Sequence, residues 1–282
     1  MPPFDSIARV TRLVRVEPEV LEFEVCSDCG EFQQTVFVQR EGLQSRSEGG
    51  IAQIFRSLVR RLLGYPENQA ALPPEEMEEA TKQAFEQVRS RMAYRDGKWV
   101  RTSLEEHPGE YFDRQLRANP IVEPYDVEVL VRVLLEVSRS DSELRREERA
   151  FLEEIVPDED TVKRLSKAPN ITVAELAEAS SIPVKETILM LSWAMAYADG
   201  HLDNEEMERL NQLCKGFLLP PARVRELQMA AKLFLLDRHL QANKSHMSLQ
   251  ELKASFEQKA QQWGLDDNQL ATLRSWYPKE LA

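Results

Sequence analysis

The chain has no run of 18 apolar residues, and its opening Met1-Pro2-Pro3-Phe4-Asp5-Ser6-Ile7-Ala8-Arg9 lacks the charged-then-apolar order of a secretory signal. Both absences point to a cytoplasmic protein without a spanning helix. Cysteine is scarce, with three in 282 residues, which fits a reducing compartment and no disulfide framework. Basic residues are outnumbered, 36 Lys and Arg against 48 Asp and Glu, for a net charge of −12. That balance disfavours a nucleic-acid partner, because phosphate binding is driven by Lys and Arg displacing counterions. A nucleophile elbow, a phosphate loop and a His-Glu metalloprotease motif are missing too. The four histidines, His107, His201, His239 and His246, show no ligand spacing.

The first 65 residues are close to neutral, so nearly all of the acidity lies beyond them. Cations or basic partners therefore suit the later part of the chain. From Arg9 to Gln39 the sequence alternates, as in Val10-Thr-Arg-Leu13-Val-Arg-Val16 and Phe32-Gln-Gln-Thr-Val36-Phe-Val38, and reads as a strand meander. Gly49-Gly50 opens an amphipathic helix over Ile51 to Leu63. Its basic residues would suit peripheral contact with an anionic membrane or a partner, although packing on a sheet demands the same pattern. A second helix is expected from Pro74 to Tyr94, with Glu75 and Glu76 in its first turn. Pro108, Gly109, Pro120 and Pro124 mark a linker over 106–125. The expected layout is a small α+β domain over 1–105 and an all-α domain over 126–282, mainly α overall. Helices in the second part are expected at 126–139, 146–155, 159–166, 173–180, 184–198, 204–217, 221–241, 248–263 and 267–276.

One pattern occurs twice at an offset of 58 residues: Ser140-Asp141-Ser-Glu-Leu144 to Glu147-Glu148, then Ala198-Asp199-Gly200-His-Leu202 to Glu205-Glu206. In each copy an apolar helix runs into an aspartate and a turn, and a paired glutamate opens the next helix. Leu130, Val133, Leu135 and Val137 fall on Ile188, Leu191, Trp193 and Met195, which indicates an internal duplication of helical hairpins. The stretch Ala198-Asp199-Gly200-His-Leu202-Asp203-Asn-Glu205-Glu206, preceded by the helix Ile188 to Tyr197, resembles the signature of the TerB-like domain. That helical module is named for tellurite resistance proteins and also stands at the front of DjlA-type co-chaperones. The resemblance spans roughly 124–281. The first copy departs from it, with Ser142 in place of glycine and Arg145 in place of an acidic residue. The resemblance implies a small non-enzymatic helical protein with acidic clusters, binding a divalent metal or docking a protein partner in a stress-response or envelope-associated assembly.

The acidic corners are the candidate sites. Asp199, Gly200, Leu202 and Glu206 hold the offsets of the second half of an EF-hand loop, but Met195 and Tyr197 stand where the first half needs oxygen ligands, which excludes a true EF-hand. A hard cation (Ca, Mg, Mn or Zn) is still expected between Asp199 and Glu206, with Asp203 as cap or auxiliary ligand and Asp141 with Glu148 as the weaker pair. The competing account is a capping box from Asp203 to Glu206, which would make the protein an adaptor without metal. In the first copy Arg145 occupies the cap position, so Glu148 has no such explanation. Cys26-Ser-Asp-Cys29-Gly30 has the shape of a zinc knuckle, yet zinc needs four ligands and Cys214 and His107 are remote in sequence, so a hairpin turn with two free thiols is favoured. Ile171 to Met190 resembles a DNA-reading helix-turn-helix, with Leu176, Ala177 and Ile182 at packing positions. Its second helix, however, continues Leu-Met-Leu-Ser-Trp-Ala-Met-Ala where a base reader needs Arg, Asn or Gln.

Overall fold

The computed structural model describes residues 3–16, 20–40, 72–102, 108–138, 164–165, 168–198, 202, 204–243 and 247–277. It is mainly helical, with a small antiparallel sheet near the N-terminus. Helix α1 (Phe4–Val10) runs directly into strand β1 (Thr11–Val16), followed by β2 (Val20–Cys26) and β3 (Gln33–Gln39) in the spatial order β1-β2-β3. The expected meander is present, and its second strand is central because consecutive strands pair through short connections.

Period-two alternation divides the sheet into unlike faces. Leu21, Phe23 and Val25 of β2 and Val36 and Val38 of β3 are buried on one face. They meet helix α2 (Pro74–Val88) through Ala80, Ala84, Phe85 and Val88, and the hairpin of β4 (Met92–Arg95) and β5 (Lys98–Arg101) through Met92 and Trp99. Phe85 and Trp99 stack at a tilt, 4.5 Å between centroids. The opposite face carries Val20 and Phe37 with buried polar groups, among them Glu22 paired with Arg15 at 3.7 Å. It turns toward the helical part: α3 (Pro108–Ala118), α4 (Pro124–Ser138), α5 (Val173–Ala177), α6 (Ile182–Ala198), α7 (Asn204–Gly216), α8 (Pro221–Asn243), α9 (Leu249–Gln262) and α10 (Asp267–Trp276).

Helix α6 is buried on every side from Thr187 to Ala194, as a helix apolar all round must be. It packs between α4 and α8. The residues aligned across the proposed duplication, Leu130, Val133 and Leu135 with Ile188, Leu191 and Trp193, are all buried. The partner helix of the first copy lies outside the described residues.

Two expectations change. Helix α2 ends at Val88, and Arg89–Arg91 form one 3-10 turn before β4 begins. Apolar Phe85, Val88 and Met92 continue a helical spacing, but Asp96-Gly97 sets a two-residue turn with φ of 50° and 76°, and such a turn matches the twist of paired strands. The stretch read as a linker over 106–125 holds α3, whose Phe112 and Leu116 are buried in the helical core. Proline there occupies a first-turn helical position, where its missing N–H costs nothing. The helix expected over Ile51 to Leu63 lies outside the described residues. No described helix is long and apolar enough to cross a membrane.

Candidate functional site

Helix α6 ends at Ala198 and α7 starts at Asn204. Leu202, between them, packs against the helical core. Of the five candidate ligands only Glu206 belongs to the described residues; Asp199, Asp203, Asp141 and Glu148 lie outside them. Glu206 stands in the first turn of α7 and is 7% exposed, while its neighbour Glu205 is exposed. Leu210 and Leu213, four and seven residues on, are fully buried and set this face of α7 against the core.

Three capping boxes elsewhere in the molecule provide a comparison for the Asp203-to-Glu206 spacing. Thr172 with Glu175, Ser248 with Glu251, and Asp266 with Gln269 each show the reciprocal hydrogen bonds of that motif. Glu251 is exposed, and Glu175 and Gln269 are half-exposed. Capping is thus satisfied in this protein without burying the third residue. Glu206 is buried more deeply than the third residue of any of those boxes.

Beside this corner, α4 contributes two buried charges. Arg132 pairs with Glu175 at 2.6 Å and donates to the Pro169 carbonyl at 3.0 Å. Glu136 pairs with Arg209 of α7 and accepts from the Ile171 amide. Arg132, with Thr172, holds the Glu175 carboxyl down at about 2. The segment resembling a helix-turn-helix is thereby pinned at its first helix, and its second helix is core. Leu176 is buried as expected and Ala177 half-buried, but Ile182 is 63% exposed. Ile182 opens the helix, before the first core-facing position at Val184.

The Cys26 to Gly30 turn works as a clasp. Asp28 donates its N–H to the Trp99 carbonyl at 2.9 Å, and its carboxylate accepts from the Trp99 amide at 2.6 Å and pairs with Arg9 at 2.8 Å. Gly30 sits at φ 75°, as the tight turn requires. Cys26 is half-buried and Cys29 exposed, both free; burial, with Glu24 nearby, pushes the Cys26 thiol up and away from the thiolate that zinc needs. Cys214 is buried in α7, where desolvation raises it to about 11. Among the described residues no three His, Cys, Asp or Glu side chains converge as a metal site.

A polar seam between sheet and helices was not expected. Along β3 the outward carbonyls of Gln33, Thr35 and Phe37 accept from Arg117 at 3.2 Å, Arg238 at 2.9 Å and Gln87 at 2.7 Å. The Thr35 amide donates to Asp113 at 2.7 Å. Asp113, Asp237 and Arg238 are essentially buried, and the Tyr277 hydroxyl donates to Asp237. Period-two spacing in β3 exposes these groups on one side of the strand, but the donors come from three different helices. Only the apolar context of Asp237-Arg238, between Leu236 and Leu240, hinted at burial in the sequence.

Comparison with models of known protein families, with curated proteins and with solved structures found no match.

Proposed function

We propose that this chain is a non-enzymatic, TerB-like docking module whose corner at 199–206 takes a divalent cation. The observation that carries this is the burial of Glu206, in a protein whose three described capping boxes leave the equivalent residue half-buried or exposed. Asp199 and Glu206 are the preferred ligands and Asp203 an auxiliary one. Calcium, magnesium and manganese suit an all-oxygen set, since hard cations take carboxylates, carbonyls and water. The corner joins α6 to α7, so a bound ion would fix the angle at which α7 presents its outer surface to a partner in a stress-response assembly. The first-copy pair, Asp141 and Glu148, is the weaker site.

The test is thermal unfolding of the full chain after chelation, with calcium, magnesium, manganese or zinc restored one at a time. The full chain is needed because Phe112 and Leu116, which a cut at residue 120 would remove, belong to the helical core. A ligand at 100 times its dissociation constant stabilises the folded state by about 2.7 kcal/mol. The expected result is a midpoint rise of roughly 5–10 °C with one ion, abolished by Asp199→Asn and Glu206→Gln. If no ion shifts the midpoint, the corner is a cap and the module an adaptor without metal.

A further inference from the structure

A second site lies on the other side of the helical part. The N-terminal half of α8 forms the floor of an open groove of about 820 Å³, with Tyr111 of α3 on one wall and Gly264 and Gln269, from the α9–α10 region, on the other. Volumes of this order are typical of small-molecule sites, which combine apolar lining with a few converging polar groups. Met229 and Leu233 supply apolar surface here, and Arg225 and Lys232 supply positive charge.

Two groups in this groove lack a hydrogen-bond or ion-pair partner among the described residues. Lys232 is 8% exposed, and its recorded contact is the face of the Tyr197 ring at 5.1 Å; it meets no carboxylate among the described residues. The Tyr111 hydroxyl is buried and finds no hydrogen-bond partner among them. A buried hydroxyl donor without an acceptor is costly, and the Lys232 ammonium, on a buried stem, has only a ring face beside it among the described residues. Arg225 is exposed and enters no ion pair among the described residues, whereas nearby Arg223 is neutralised by Glu186 at 2.7 Å and Glu226 at 2.9 Å. In a chain of net charge −12, a groove lined by Arg225 and Lys232, with its one carboxylate among the described residues, Glu226, paired to Arg223, is a local inversion of sign.

We infer that this groove binds a small amphipathic organic anion, its carboxylate seated on Lys232, Tyr111 and Arg225 and its apolar body lying along Met229 and Leu233. Burial holds the Lys232 ammonium below an ordinary lysine, and a bound carboxylate would offset that cost. The site is independent of the cation corner, so chelation leaves it unaffected.

Titration calorimetry of the full chain with decanoate tests this, with decanol as the uncharged control and a synthetic peptide of alternating Glu and Leu as the macromolecular one. Decanoate is expected to bind at least about tenfold more tightly than decanol, since a charge-assisted hydrogen bond is worth that much. Lys232→Met should lose at least about tenfold, and Tyr111→Phe should lose less. Arg225→Gln, at an exposed position, should weaken binding about threefold and keeps the test open if Lys232→Met fails to fold. Equal affinity for decanoate and decanol, or unchanged affinity in all three variants, overturns the proposal. Tighter binding of the acidic peptide through the same residues overturns it as well, by assigning the groove to protein docking.

Discussion

The two faces of the sheet are held by different forces. Toward α2 and the β4–β5 hairpin the contact is apolar, centred on Phe23, Val36, Phe85 and Trp99. Toward α3 and α8 it includes a seam in which Asp113, Arg117 and Arg238 answer the backbone of β3. Apolar packing is graded, since each lost methylene costs a little. A buried polar seam behaves differently, because removing one partner strands the other.

The largest effect is expected on the apolar side. Phe85→Ala should cost about 3–5 kcal/mol, read as a shifted denaturation midpoint with an unchanged slope. On the polar side Asp113→Ala should cost about 3 kcal/mol, although it removes far less volume. A double-mutant cycle of Asp113→Leu with Arg238→Met, two side chains that meet at Thr35, separates the two regimes. It should show the pair costing at least about 1 kcal/mol less than the sum. Strict additivity would mean that the seam is packing and nothing more.

Acid should act through a third place. His239 is 3% exposed, bonded to Ser255 at 2.8 Å, and burial, with Lys259 nearby, lowers its pKa to about 4 from 6.5. The unfolded chain then binds the extra proton first. The contribution is complete above pH 6.5 and is lost as pH falls toward 4, by up to roughly 3 kcal/mol. His239→Gln should flatten that part of a stability-against-pH curve. The smallest effect is expected at Ile182→Ser, within about 0.5 kcal/mol by the same denaturation measurement, because this isoleucine is mostly exposed.

Much of the helical part was legible in the sequence because its signals are local. Thr172, Ser248 and Asp266 cap helices with their third-position partners, and α10 spans Asp267–Trp276 as expected. Helix α3 was missed because Pro108 was read as a breaker, when proline opens helices as readily as it ends them. The β4–β5 hairpin was missed because the helical spacing through Met92 outweighed the Asp96-Gly97 turn, the stronger signal of the two. At the candidate site, the burial of Glu206 and exposure of Glu205 follow from the spacing of Glu206 to Leu210 and Leu213. The seam was illegible, since it joins positions far apart in sequence, and no local rule connects Asp113 to Thr35.

That separation sets a timetable for the chain's birth. Thr35 and the Arg238 that caps it are 203 residues apart. At ribosomal speeds of about 5–20 residues per second, roughly 10–40 s pass between their syntheses. Gln87, Asp113 and Arg117 are made earlier, but over that interval the Thr35 carbonyl stays uncapped and this part of the strand edge can pair with another extended chain. Slowed elongation downstream of the sheet, or truncation before α8, should send the nascent protein toward aggregation or chaperone capture, even though the finished fold hides that edge.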